Sequence, residues 1–173
     1  LHMKDTLYAG AGLCNEEAVR VLVEEAAENI EKLSEFGVNF DKKSSEEFAL
    51  TREGAHSMNT IIHAGDSTGK EVLDKLIAVV RTRKNIDIHE RCSAIDLLVE
   101  DGACKGVLAF SEDTDSLKIY LSNIVVCATG GYGQLYSNTT NPEVATGDGV
   151  CMAYRAGAEL TDLEFIQFHP TVL

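Results

Sequence analysis

A change of hydrophobic period divides this chain. Between Asn15 and Phe36 the apolar residues Val19, Leu22, Val23, Ala26, Ala27, Ile30 and Leu33 recur every three to four positions, the pattern of a helix with one buried face. Asn15 is placed to cap its start, Glu16 and Glu17 suit the positive end of its dipole, and Gly37 ends it. A second helix is predicted from Ser67-Thr68 through "GKEVLDKLIAVVRTR". Past Ile86 the helical spacing stops, and the sequence reads as several strands with turns at Glu100–Gly102 and Glu112–Ser116. The last of these runs, "NIVVCATGG", closes on two glycines, and "GDGVCMAYRAG" then reads as a helix ended by Gly157.

Helix, sheet, strand into Gly-Gly and helix again is an α/β order of the kind that binds nucleotides. A dinucleotide fold ordinarily opens with a strand running into G-x-G-x-x-G, and that motif does not occur here. "AGAGLC" at residues 9–14 contains G-x-G, but "KDTLYAG" before it is not a strand pattern, so the match carries no weight.

With 28 acidic residues against 15 Lys and Arg, the net charge of -13 argues against nucleic acid or an anionic membrane as partner. No apolar run approaches the roughly 20 residues of a membrane span and no signal peptide opens the chain, so a reducing, cytoplasmic setting is expected. The five cysteines are odd in number, spread out and without C-x-x-C, which suggests neither a disulfide framework nor a zinc site. Cys127, inside an apolar run, reads as a small core residue.

Four stretches have residues suited to chemistry. In "VVCATGGYGQLY", Gly130 and Gly131 let the backbone approach another group closely, or simply make a tight turn. In "TTNPEVATGDGVCMAYRAGA", Asp148 stands where a helix opens; it suits a sugar or amide donor, or serves as a plain cap. "LTREGAHSMNTIIHAGDSTG" is dense in polar groups. Its Glu53 is either a surface partner of Arg52 or a carboxylate placed to receive a proton, while the spacing of seven between His56 and His63 fits no common metal-ligand pattern. In "EFIQFHPTVL", Pro170 locks the backbone after His169, which suits the imidazole to binding a carboxylate or to a satisfied place in a core.

In order and spacing, "DTLYAGAGLCNEEAV", "LTREGAHS", "HAGDSTGKEV", "ATGG", "YSNTTNPEVATGDGVCMAYRAGAEL" and "LEFIQFHPT" resemble the flavoproteins of the succinate dehydrogenase, fumarate reductase and L-aspartate oxidase group, over essentially all 173 residues. "LTREG" followed by "HS", with "TTNP" and "GDG", favours the aspartate oxidase branch. The resemblance implies an α/β fold: a partial FAD-binding domain over residues 1–160, with 161–173 starting the passage into a capping domain. The first βαβ unit and most of the cap are expected outside this segment. It further implies FAD as cofactor and L-aspartate as substrate, oxidised to iminoaspartate with oxygen or fumarate as electron acceptor. That reaction opens quinolinate and NAD synthesis, with quinolinate synthase as pathway partner. A succinate dehydrogenase or fumarate reductase subunit, or a catalytically silent fragment, is the alternative.

Carried over by position, the resemblance assigns Ser93 and Ala94 to the adenine side of FAD, and Gly130, Gly131 and Asp148 to contacts with the cofactor. It assigns Glu53 to orienting the substrate amino group and His169 to holding a substrate carboxylate. This chain departs from the family pattern at Met58, Asn59 and Thr60, where a basic residue is common, and in writing Glu-Gly-Ala for Glu-Gly-Gly.

Overall fold

The computed structural model describes residues 1–45, 47–54 and 56–168, which form two compact units, Leu1–Ile88 and His89–Leu173. Helix and sheet are mixed, and the two predicted long helices, the strand region and the last helix stand in the predicted order.

In the first unit, α1 (His2–Ala9) packs beside α2 (Glu16–Glu35). Asn15 caps α2 as predicted, its side chain accepting the Ala18 N–H at 3.0 Å, and Gly37 follows the helix at φ +92°. The face turned inward is narrower than the sequence suggests. Val19, Val23, Ala26, Ile30 and Leu33 are buried or half-buried, whereas Leu22 is 62% exposed and Ala27 lies open. Glu17, Arg20 and Glu24 pair along the solvent side. α1 itself is a helix the sequence did not announce, because eight residues are too few for a hydrophobic period to declare itself.

After Gly37 the chain is extended, with Val38 and Phe40 buried and Phe40 meeting Phe48 edge to face at 5.9 Å. Asp41 bonds through its N–H to the His63 carbonyl and through its carbonyl to the Ala49 N–H, each at 2.8 Å. β1 (Leu50–Thr51) and β2 (Ile61–Ile62) pair antiparallel as the two strands of a short hairpin. α3 (Thr68–Arg81) then starts where Ser67-Thr68 predicted.

The second unit is built on an antiparallel meander, β3 (Cys92–Glu100), β4 (Ala103–Ser111) and β5 (Ser116–Leu121), in that spatial order. Both predicted turns fall between these strands. Asp101 and Gly102 take φ +51° and +73°, the left-handed pair that suits a two-residue hairpin. The register slips twice, between Ala94 and Asp96 and between Leu98 and Val99. At the second slip Gly106 pairs with Leu98 and Cys104 with Val99, leaving Lys105 as the extra residue of a bulge.

Two expectations fail in this unit. "NIVVCATGG" forms no strand: residues 123–131 carry no ladder, and Ile124 and Val126 are 79% and 81% exposed. A strand exists only through its neighbour's hydrogen bonds, and no described strand lies beside this run. Cys127 accordingly is exposed, not a core residue. α4 (Asp148–Arg155) does form, and Gly157 follows it at φ +90°. None of the helices is long and apolar enough to cross a membrane, among the described residues.

Candidate functional site

Two glycines, Gly147 and Gly149, bring the Gly-Gly stretch onto the start of α4. A methyl group on Gly149 would lie 1.8 Å from Thr129 Oγ1, and one on Gly147 would lie 2.8 Å from Tyr132 Cβ. The glycines of "TGDG" are therefore explained by close packing against residues 129–132, and Gly147 also takes φ +80°. Gly147 is the N-cap of α4, so Asp148 is not the cap that the plainer sequence reading allowed; it is the first helical residue. Its exposed carboxylate accepts a hydrogen bond from Thr146 Oγ1 at 2.5 Å. The first intrahelical bond runs from the Cys151 N–H to the Gly147 carbonyl, so the N–H groups of the preceding turn have no helical acceptor.

Gly130 and Gly131 differ in kind. Gly130 sits at φ +72°, a conformation that by itself calls for glycine. Gly131 lies outside the left-handed region, and a Cβ there would meet nothing within 4 Å. Neither of the fold's own reasons for glycine applies to Gly131 among the described residues. An open flank beside a helix start with free N–H groups and an acid fits a group that needs backbone contact and hydroxyl acceptors.

Ser93 and Ala94 lie exposed on β3, paired with Phe110 and Ala109, immediately before the first register slip. The residues that follow them, Ile95 and Asp96, meet the C-terminal end of α4. Arg155 bonds to Asp96 Oδ2 at 3.1 Å and to the Ile95 carbonyl at 3.0 Å, using the backbone that the slip leaves free. Asp148 is seven residues away along the helix, about 10 Å of axial rise. Sequence reasoning missed Arg155, whose one visible signal was a basic residue in the last turn of a predicted helix.

The hydrogen bond from Arg155 and, secondarily, the Leu97 N–H hold the Asp96 carboxyl below the usual carboxylate range. A carboxyl lowered in the folded state adds stability above its unfolded value, about 3.9, and loses it as pH falls through the folded value. Asp96→Asn is therefore expected to lower the unfolding midpoint at neutral pH. In an acid series the difference from the parent should shrink below about pH 4.

Glu53 lies in the hairpin loop of the first unit, exposed, and its carbonyl accepts the His56 N–H at 3.0 Å. No ion pair joins it to Arg52 among the described residues. Its loop is tethered by Asp5, whose Oδ2 accepts the Ser57 N–H at 2.9 Å and the Ser57 hydroxyl at 2.8 Å. Those two bonds, the backbone one first, lower the Asp5 carboxyl from its ordinary value. His63 Nδ1 meets Asp41 Oδ2 at 2.9 Å and half-buries there as a structural partner. His169 falls outside the described residues.

A family profile described as FAD binding domain matches residues 1–173. The chain belongs to the FAD binding domain family. FAD is the cofactor that this family's name carries, and the open flank at Gly131 with the start of α4 fits part of such a group. L-aspartate oxidase from Synechocystis sp. is 45% identical over 99% of this chain and 31% of that protein. L-aspartate oxidase from Nostoc sp. is 47% identical over 100% of this chain and 30% of that protein. Among solved structures, a mutant quinol fumarate reductase of E. coli matches with a TM-score of 0.95 at 31% identity, over 99% of this chain and 29% of that one. The chain thus spans about a third of the length of these relatives.

Proposed function

We propose that this chain is the cofactor-binding part of an L-aspartate oxidase, oxidising L-aspartate to iminoaspartate with oxygen or fumarate as electron acceptor. The observation that carries the reading is that its identity to curated L-aspartate oxidases exceeds its identity to the fumarate reductase structure by more than ten percentage points over the same residues. Bound FAD supplies the acceptor for the hydride that leaves the substrate Cα as the C=N bond forms and the amino group gives up a proton.

The chain's own residues provide position and charge. Gly130 and Gly131 offer backbone to the cofactor, Asp148 accepts from its hydroxyl groups, and Ser93 and Ala94 offer the free edge of β3 to its adenine side. The Glu53 carboxylate orients the ammonium group of the substrate, and the His169 imidazole holds a carboxylate. Residues 161–173 begin the passage into a capping domain. The site serves a reaction whose product feeds quinolinate and NAD synthesis, with quinolinate synthase as the enzyme that takes it up, in a cytoplasmic setting.

The protein at the full length of its relatives should consume oxygen and release one peroxide per L-aspartate, and succinate should give none. In that protein Glu53→Gln and His169→Ala are each expected to lower kcat/KM by about 10²-fold. Peroxide at the parent rate from both variants would remove those residues from the mechanism. Residues 1–173 alone should give no peroxide.

The fumarate reductase likeness supports a second reading, a succinate or fumarate oxidoreductase subunit. Oxidation of succinate in preference to aspartate would establish it.

A further inference from the structure

The stretch 159–168, which leads into His169, has no helix or strand of its own. Its internal bonds are two short turns, Phe165 N–H to the Asp162 carbonyl and Ile166 N–H to the Glu164 carbonyl. A segment of this kind is placed by whatever side chains reach it. Two aromatics do so, and both come from the stretch that follows Gly130 and Gly131. The Tyr132 hydroxyl donates to the Leu163 carbonyl at 2.6 Å, across 31 positions of sequence. Four residues on, the Tyr136 ring meets Phe168 edge to face, with centroids 5.2 Å apart.

Tyr132 itself packs on the start of α4, its Cβ filling the space that a side chain at Gly147 would need. The result is a brace with the helix start of α4 at one end and the 163–168 segment at the other. Gly131 precedes its first aromatic by one residue, and His169 follows its last by one. A cleft of about 670 Å³ opens between the braced segments, lined by Tyr136, Asn138, Thr140, Asn141, Gln167 and Phe168 among others.

We propose that Tyr132 is a positioning residue, whose hydroxyl sets the substrate-holding segment against the cofactor-contacting glycines. This rests on the oxidase reading of the site. Phenol to carbonyl is a neutral bond, so its loss changes binding by a modest factor. Hydride transfer is more demanding, because displacement of a reacting pair by about 1 Å costs on the order of 10²-fold in rate. The chemical step should therefore suffer more than folding does.

The test is Tyr132→Phe in the flavin-loaded protein at the full length of its relatives. Four quantities are read: flavin content, the thermal midpoint, the anaerobic rate of flavin bleaching at saturating L-aspartate, and malonate affinity from the flavin absorbance change. Malonate carries two carboxylates and no amine to oxidise. The proposal expects unchanged flavin content and midpoint, bleaching slowed about ten-fold, and malonate bound about five-fold more weakly. Tyr136→Leu should slow bleaching in the same way. A lower midpoint with parent-rate bleaching per bound flavin would make Tyr132 a purely structural residue, and no change in any quantity would also overturn the proposal. Should succinate and not aspartate bleach the parent protein, the oxidase reading fails while the brace is judged by the same comparison run with succinate. Bleaching by neither removes both.

Discussion

Gly106→Ala is expected to destabilise the second unit by about 3 kcal/mol or more, the largest effect of any single methyl group added to this chain. The added carbon would lie 2.0 Å from the Tyr120 carbonyl oxygen and 3.0 Å from the Leu121 Cα, both backbone atoms of the neighbouring strand. Side chains can rotate out of a clash, but a strand held by its ladder cannot. Gly106 also takes φ +153°, at the bulge where Lys105 drops out of register with β3. The Lys105 carbonyl accepts the Ser122 N–H at 2.9 Å, so a shift there loosens the end of β5 as well. Denaturant unfolding of the full-length variant measures the cost. Gly102→Asn is the contrast: that glycine also has positive φ, +73°, but a Cβ there meets nothing within 4 Å, and asparagine tolerates the left-handed region. A Gly106→Ala cost no larger than that of Gly102→Asn would contradict the bulge packing.

The second large effect belongs to Gly149. An alanine methyl there would lie 1.8 Å from Thr129 Oγ1, 2.7 Å from its Cβ and 2.9 Å from its Cγ2. Rotating the hydroxyl away does not help, because the Cβ stays in place. Gly149→Ala should cost about 1–3 kcal/mol and push the Thr129–Tyr132 stretch off the start of α4. Since Gly130 and Gly131 ride on that stretch, flavin content of the full-length protein should fall with stability. Gly149→Ala combined with Thr129→Gly removes the clashing Cβ and should recover much of both losses. A double variant no better than the single one would mean that the Thr129 contact is not what requires glycine at position 149.

Those two glycines show where the sequence was legible and where it was not. "TGDG" was legible as a helix start beside an acid, but not the close packing that requires its two glycines. Their neighbours are Thr129 and Tyr132, 20 and 15 positions away, and no local pattern names a partner at that distance. Local signals did better. The Asn15 cap, the Ser67-Thr68 helix start and the Asp101-Gly102 turn are settled by bonds within a few residues, and each stands where the sequence puts it. "NIVVCATGG" failed for the opposite reason, since its apolar β-branched run fits a strand only when another strand supplies the ladder. The loop holding Glu53 was legible as dense in polar groups. Its tether to Asp5 was not, because that bond joins residues 52 positions apart.

The proposed function makes one central claim, that the cofactor of the full-length protein takes electrons from L-aspartate. The most direct measurement holds the full-length protein without oxygen, records its flavin absorbance, and adds L-aspartate to one cuvette and succinate to another. The account predicts that aspartate bleaches the yellow band and succinate leaves it intact. Bleaching by succinate alone, or a purified protein with no yellow band at all, would contradict it.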